Sequence, residues 1–334
     1  MSASADPAPA KGSAWQASAG RALNLLRRHT TAALLVLLVC FVGGIEMIVP
    51  GTVTPMWISN IVLFAAPLGI LAAGQTLVML SGGIDLSVAS VATASAYLMA
   101  THSSLGSVAC VLWGLSVGLA VGLINGVGVA VLQVQPLVMT LGTGLMTQGT
   151  LIVYSQKMLA NAPRVPSFIQ SVGSGKVLGG IPIDLILWAP IALVVLIGLR
   201  RTGLGRLLYA VGDNREACQL SGVRVWQVLL TDYVLCGSLA AVAGLVIVGG
   251  TNAADMSLAD VYLLPSVAAV IIGGTSIFGG RGGYAGSIVG ALILAVLTTL
   301  LTVLQMPEGF RRILFGLIVL AVSAAYLRIV SERS

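Results

Sequence analysis

Charge is what this sequence has least of. Only 8% of its 334 residues are Asp, Glu, Lys or Arg, where a soluble globular domain carries about 25%. So few charges cannot cover a soluble surface of this size, and a mean hydropathy of +1.02 agrees. Histidine is almost missing: His29 and His102 stand alone and far apart, which gives no metal-ligand cluster. Cys40, Cys110, Cys218 and Cys236 form no CxxC or zinc spacing, which argues against metal and disulfide roles. Three of them lie inside apolar runs and read as small apolar filler. HExxH, GxSxG and paired-Asp signatures are absent as well, so no catalytic, cofactor-binding or metal-binding residue is expected on this chain. The first thirty residues lack the apolar core of a cleavable signal. Rich in Ala, Ser and Pro, residues 1–30 are expected to form a disordered cytoplasmic tail.

Two apparent motifs fail on inspection. Gly173-Ser174-Gly175-Lys176 has Gln170 where a phosphate loop needs its first glycine and Val177 where it needs Ser or Thr. Gly280-Arg281-Gly282 followed by Ala285 lacks the βαβ setting of a dinucleotide site. The net charge of +6 is explained by membrane topology, so no nucleic-acid partner is expected.

What the chain does have is apolar length. Hydrophobic residues make up 57% of it, in continuous runs such as 31–49 and 287–304. A helical crossing needs about 20 such residues, and barrel strands would alternate polar and apolar instead. The expected fold is therefore an all-α integral membrane protein of about ten transmembrane helices with glycine-rich breaks, to which the family resemblance described below adds a cytoplasmic coupling helix. The spans fall near 31–49, 57–80, 86–101, 107–132, 137–155, 183–199, 226–250, 262–275, 284–304 and 309–327, a permease domain over 31–328 followed by a tail at 329–334. The third and eighth are short for a full crossing.

Forty-one glycines suit helices that approach closely in lipid. Gly114, Gly118, Gly122 and Gly126 recur every four residues, as do Gly282, Gly286 and Gly290. Two breaks interrupt the apolar runs: SGGIDLS at 81–87 and GGTSIFGGRGG at 273–283. Irregular backbone at membrane depth survives only where protein or a watery cavity surrounds it, and paired breaks hint at an internal repeat. Gly82, Gly83, Asp85 and Ser87 are therefore candidates for the translocation path or its gate. Two compatible roles fit Asp85: facing the path, or capping the third span. Asp232 could reach the coupling helix through an arginine or snorkel to the interface, and Glu46 reads as interfacial.

Lys and Arg set the orientation. With both termini inside, ten spans place twelve of the seventeen basic residues in the cytoplasm; Lys157, Arg164, Lys176, Arg311 and Arg312 remain outside. The last two fit badly.

The inner loop, about 200–225, carries the strongest signal. It reads GLGRLLYAVGDNREACQLSGVRVWQ over 203–227. Asp213 or Asn214 can cap a short helix over 214–220 that Ser221-Gly222 stops. A helix that short is unstable alone and must pack against something; Arg215, Glu216 and Gln219 suit a soluble partner.

Here the chain resembles the ribose-type sugar permeases of ATP-binding-cassette (ABC) importers. Glu216-Ala217, with Gly222 six residues on, is similar to that family's EAA loop, although Cys218 replaces the second alanine. LSGGIDLSV (80–88), GRLLYAVGDNREACQLSGV (205–223) and VIIGGTSIFGGRG (270–282) resemble further stretches of the family. The resemblance runs from about residue 57 onward. It implies a permease in a bacterial inner membrane, paired with a second copy or a sister permease and embedded in membrane lipid. It further implies a separate ATP-binding cassette subunit carrying ATP and Mg, and a periplasmic sugar-binding protein. Asp213, Asn214, Arg215, Glu216, Ala217 and Gly222 would dock the ATPase. The alternative is an ion-coupled secondary transporter, which usually carries an acidic or histidine relay at mid-membrane; Asp85 and Asp232 sit near span ends with no paired relay apparent.

Overall fold

The structure, a computed structural model, describes residues 30–157, 164–177, 180–307, 309–318 and 320. The expected tails at 1–30 and 329–334 lie outside these residues, apart from Thr30. In chain order the helices are α1 (Thr30–Ile48), α2 (Pro55–Leu80), α3 (Val88–Thr101), α4 (Ser107–Ala130), α5 (Pro136–Lys157), α6 (Ser167–Ser174), α7 (Ile183–Arg201), α8 (Gly203–Asp213), α9 (Arg215–Leu220), α10 (Val225–Thr251), α11 (Leu263–Ile272) and α12 (Tyr284–Val303). A further helical stretch covers 309–318. Between α6 and α7, β1 (Lys176–Val177) and β2 (Ile181–Pro182) pair antiparallel, Lys176 opposite Pro182.

Among the described residues, α1, α2, α4, α5, α7, α10 and α12 are long and apolar enough to cross a membrane. The chain is an all-α membrane protein, and each expected span from residue 31 to 304 coincides with a helix. The two expected to be short are short: α3 has 14 residues and α11 has 10. Two helices were not anticipated, α6 and α8. Leu204, Leu208 and Val211 mark α8 at helical spacing, and its inward face buries Gly205, Leu208 and Val211.

The bundle is built around α2 and α10, whose apolar windows are 83% and 61% buried. Small residues allow this. Along α4, Gly114, Gly118, Gly122 and Gly126 are all buried, and the last three lie against the backbone of α10 at Gly237, Tyr233 and Leu230. Gly286 and Gly290 likewise meet Gly273 and Ala269, which seats α12 on α11. Both glycine ladders therefore pack helices within one chain. Trp188 of α7 donates to Tyr284 Oη at 2.8 Å, and Tyr284 donates to the Gly69 carbonyl at 2.8 Å, tying α7, α12 and α2 together.

The two glycine-rich breaks start alike. After α2, Gly82 N donates to Met79 O and Gly83 N to Val78 O; after α11, Gly274 N donates to Ile271 O and Thr275 N to Val270 O. Each is the pair of hydrogen bonds that closes a helix around a left-handed residue. That residue is Gly82 (φ +88°) in one and Gly274 (φ +85°) in the other, a conformation a side chain would strain.

A second correspondence links opposite ends of the bundle. Asp85-Leu86-Ser87-Val88-Ala89 follows α2, and Asp255-Met256-Ser257-Leu258-Ala259 follows α10. In both, the serine N–H and Oγ donate to Oδ1 of the aspartate: 2.8 and 2.6 Å at Asp85, 2.7 and 2.5 Å at Asp255. Long helices of 26 and 27 residues precede these turns, and shorter helices follow. A long helix, an Asp-x-Ser turn and a short helix thus occur twice in opposite directions, as in an inverted repeat.

Candidate functional site: a glycine junction beneath an exposed short helix

Asn214 ends α8 and caps α9, its Oδ1 accepting from Ala217 N at 2.8 Å. Glu216 stands in the first turn of α9, where a carboxylate meets the positive end of the helix dipole. Gly222 N donates to Gln219 O and Val223 N to Cys218 O, with Gly222 at φ +80°, so α9 stops at the expected place. Of the six residues of α9 only Cys218 is buried; Arg215, Glu216, Ala217, Gln219 and Leu220 are exposed. Leu220, at 84% exposure, has no apolar cover among the described residues.

A groove of about 660 Å³ runs beside α9, lined in part by Val131, Gln133, Arg215, Gln219 and Trp226. Val131, Leu132, Leu220 and Trp226 are all exposed. The α4–α5 connection therefore shares one surface with α9. Sequence reasoning missed this contribution, although apolar residues in the turn after a span, at Val131 and Leu132, were its signal.

Beneath α9, three pieces of backbone meet. A Cβ at Gly212 would collide with the Leu80 carbonyl and Gly280 N, one at Gly279 with Gly212 and Gly82, and one at Gly280 with Asp213. Gly280 N donates to Leu80 O at 3.0 Å, and Tyr209 Oη donates to Gly282 O at 3.0 Å. The end of α8 is thus wedged between both glycine-rich breaks, and α9 follows it after one residue.

The first break is held by side chains that replace the missing helix bonds. The Gln75 amide donates to Asp85 O at 2.5 Å and accepts from Asp85 N at 3.3 Å. Thr140 of α5 accepts from Leu86 N and donates to Ile84 O. Backbone polarity at membrane depth is satisfied by protein, as the bilayer requires. From Asp85, a relay runs through Ser87 to Asn125 (2.9 Å) and from Asn125 to Thr143 (2.6 Å), joining α3, α4 and α5. Gln75 and Asn125 therefore act as interhelical links.

Two sequence expectations need correction. Asp85 is not the cap of α3: Ser87 holds that position, and Asp85 binds the Ser87 N–H from two residues before it. Asp232 neither snorkels nor reaches an arginine. It is fully buried, and Ser81 Oγ donates to its Oδ2 at 2.5 Å. The two carboxylates are moreover near enough to interact electrostatically, with the Cys236 thiol beside Asp85. Among the described residues, Asp232 Oδ1 and the Tyr233 hydroxyl are buried without hydrogen-bond partners. Sequence reasoning placed these acids apart, because 147 residues separate them and only the packing of α2 on α10 brings them together. Of the gate candidates, Gly83, Asp85 and Ser87 are buried and Gly82 is exposed. Glu46 binds Gly51 N and Val53 N at 2.7 and 2.8 Å, closing the turn after α1.

Asp85→Ala removes the acceptor of Ser87 and leaves a void in a fully buried site. The expected result is transport reduced about tenfold or more, with the protein still inserted in the membrane, because a lost buried charge-assisted bond costs about 1.5–3 kcal/mol. Uptake at the parental rate would show that the turn needs no carboxylate.

Comparison with known proteins places this geometry. The family described as branched-chain amino acid transport system / permease component matches residues 57–323. The ribose import permease of Escherichia coli (strain K12) is 32% identical over 304 residues, 89% of this chain and 92% of its own length. The fructose import permease of Rhizobium meliloti is 34% identical over 267 residues, 76% and 73% of the two chains. The galactofuranose transporter permease of Escherichia coli (strain K12) is 35% identical over 263 residues, 77% and 76%. No solved structure matches.

Proposed function

The chain belongs to the family of branched-chain amino acid transport system permease components, as a sugar permease subunit of ABC importers, and from that premise we propose that it forms the translocation path for a monosaccharide and takes its drive from a separate ATPase docked on α9. The observation that carries the proposal is the placement of α9. A six-residue helix with one buried side chain stands directly on the junction where both breaks touch α8.

In this reading the α8–α9 end faces the cytoplasm. The loop after α7 brings Arg200, Arg201, Arg206, Arg215 and Arg224 to that side, as the positive-inside bias favours. ATP and Mg belong to the partner ATPase. A solute-binding protein delivers sugar at the opposite face, and a second permease, identical or sister, completes the path. When the ATPase moves α9, Gly212 carries the displacement into Leu80 and Gly280, and so into both breaks. Asp85 and Ser87 then shift with the first break, changing which side of the membrane the path opens to.

A second reading has one observation in its favour. The buried Asp85 and Asp232 pair is the kind of acidic cluster that ion-coupled transporters use. The test is uptake of labelled monosaccharides into proteoliposomes holding this chain, its ATPase and its binding protein. Uptake that requires both ATP and the binding protein is the expected result. Uptake driven by an ion gradient alone would replace the first reading with the second.

A further inference from the structure

Arg311 and Arg312 are the two of the five outer basic residues that fit the orientation badly, and both line one cavity. It measures about 380 Å³ and lies at the end of the bundle opposite α9. Asp260, Arg311 and Arg312 line it together with Phe64, Leu68 and Phe315. The polar members sit at helix ends, since Asp260 starts the short 3-10 turn before α11 and the arginines fall in the first turn of the 309–318 helix. Leu68 and Phe315 are buried in the bundle, and Phe64 is exposed on its flank. Polar groups thus sit at helix ends with apolar side chains beside them.

The charges are not equivalent. Asp260 interacts electrostatically with Arg312. Arg311 Nε is buried and has no hydrogen-bond partner among the described residues. A guanidinium in that position calls for an acceptor, and a phosphate oxygen suits its fork geometry. The cavity is too small for a whole lipid, but its lining reaches Leu264, which is 47% exposed, and the 309–318 helix carries the exposed apolar residues Ile313 and Leu317 on its other side. An amphiphile with an anionic head and an apolar tail fits this layout; a free sugar would meet mostly apolar walls.

We propose that this cavity binds the headgroup of an anionic phospholipid, with Arg311 as the phosphate ligand and the acyl chains lying along α11 and the 309–318 helix. Arg312 is held by Asp260 and positions the site.

The test uses the full-length protein reconstituted in vesicles of equal phosphatidylglycerol and phosphatidylcholine, extracted gently and weighed intact by mass spectrometry. The parental protein should retain phosphatidylglycerol in preference to phosphatidylcholine. Arg311→Gln should lower that retention about fivefold, the factor one basic side chain contributes at an anionic surface. Asp260→Asn should raise retention, because it removes the one carboxylate that lines the cavity among the described residues. If Arg311→Gln does not insert, Arg311→Lys keeps the charge while losing the fork and should weaken retention by a smaller factor. Equal retention of the two lipids, or no response to either Arg311 variant, would overturn the proposal. So would displacement of the lipid by soluble glycerol phosphate, which would make this a site for a free anion. Unchanged lipid retention with lost association of the solute-binding protein would assign Arg311 to protein docking instead.

Discussion

Replacing Glu216 with lysine is expected to abolish ATP-driven uptake while leaving membrane insertion and thermal stability unchanged. The side chain is exposed, so the fold has no packing to lose, and an exposed substitution away from structural features usually shifts stability by less than about 0.5 kcal/mol. The effect falls on the interface. Glu216 lies in the first turn of α9, where its charge is favoured by the helix dipole, and the surface beside it already carries Arg215 and Arg224. A lysine turns a mixed surface into a mainly basic one, with Asp213 its remaining nearby carboxylate. Misplaced like charges across an interface cost several kcal/mol; at about 3 kcal/mol the ATPase would bind about a hundredfold more weakly. Two measurements check this: co-purification of the ATPase with the variant, and uptake in proteoliposomes. Loss of both supports docking through α9. Normal uptake would remove α9 from the coupling path.

The parts of the fold that could be read in the sequence are those governed by local physics. Apolar length marks the spans because lipid demands it, and α2, α4 and α12 begin and end within a few residues of expectation. The short helix at 214–220 was legible because its start and stop are local: an Asn214 side chain within reach of Ala217 N, and a glycine at 222 able to adopt positive φ. The Gly114–Gly126 ladder announced a close helix contact but not its partner, since spacing defines a face and says nothing of what covers it. What stayed hidden depends on long-range packing. Asp85 and Asp232 come together only because α2 and α10 form the centre of the bundle. Gly212 stands just before the cap of the short helix, and nothing local shows that its neighbours would be Leu80 and Gly280. The expected repeat partner of the first break was the second glycine-rich break. Those two share a helix ending, whereas the Asp-x-Ser turn of the first break is matched at Asp255, where no glycine drew attention.

The same junction explains why both breaks are glycine-rich. A break in a membrane helix needs partners for its free backbone groups, and Gln75 and Thr140 supply them at the first break. Side chains in the breaks would then be in the way. Gly82, Gly212, Gly279 and Gly280 let three backbones touch, and backbone is the stiffest material available to carry a small displacement. A coupling element built on side-chain contact would absorb motion in rotamer changes.

That argument makes Gly212 the most sensitive position of the junction. Gly212→Val is expected to eliminate uptake and to lower the melting temperature by several degrees, because even its Cβ would overlap the Leu80 carbonyl and Gly280 N, and both are backbone atoms that cannot rotate away. Overpacking of this kind costs about 1–3 kcal/mol. Gly212→Ala adds the Cβ alone and is the milder variant. It meets the same backbone atoms, so it should lower the melting temperature by less than valine does, keep the ATPase bound through α9, and reduce uptake about tenfold, so that ATP hydrolysis continues without matching transport. Gly203→Ala is the control in the same loop, since nothing lies within 4 Å of a Cβ there, and it should transport at the parental rate. The ratio of sugar moved to ATP hydrolysed is the quantity to compare across the three. A fall at Gly212→Ala with no change at Gly203→Ala places the transmission of force in the contact between α8 and the breaks. Equal ratios in both would mean that α9 acts on the path by another route, and the glycines would be left with packing as their only role.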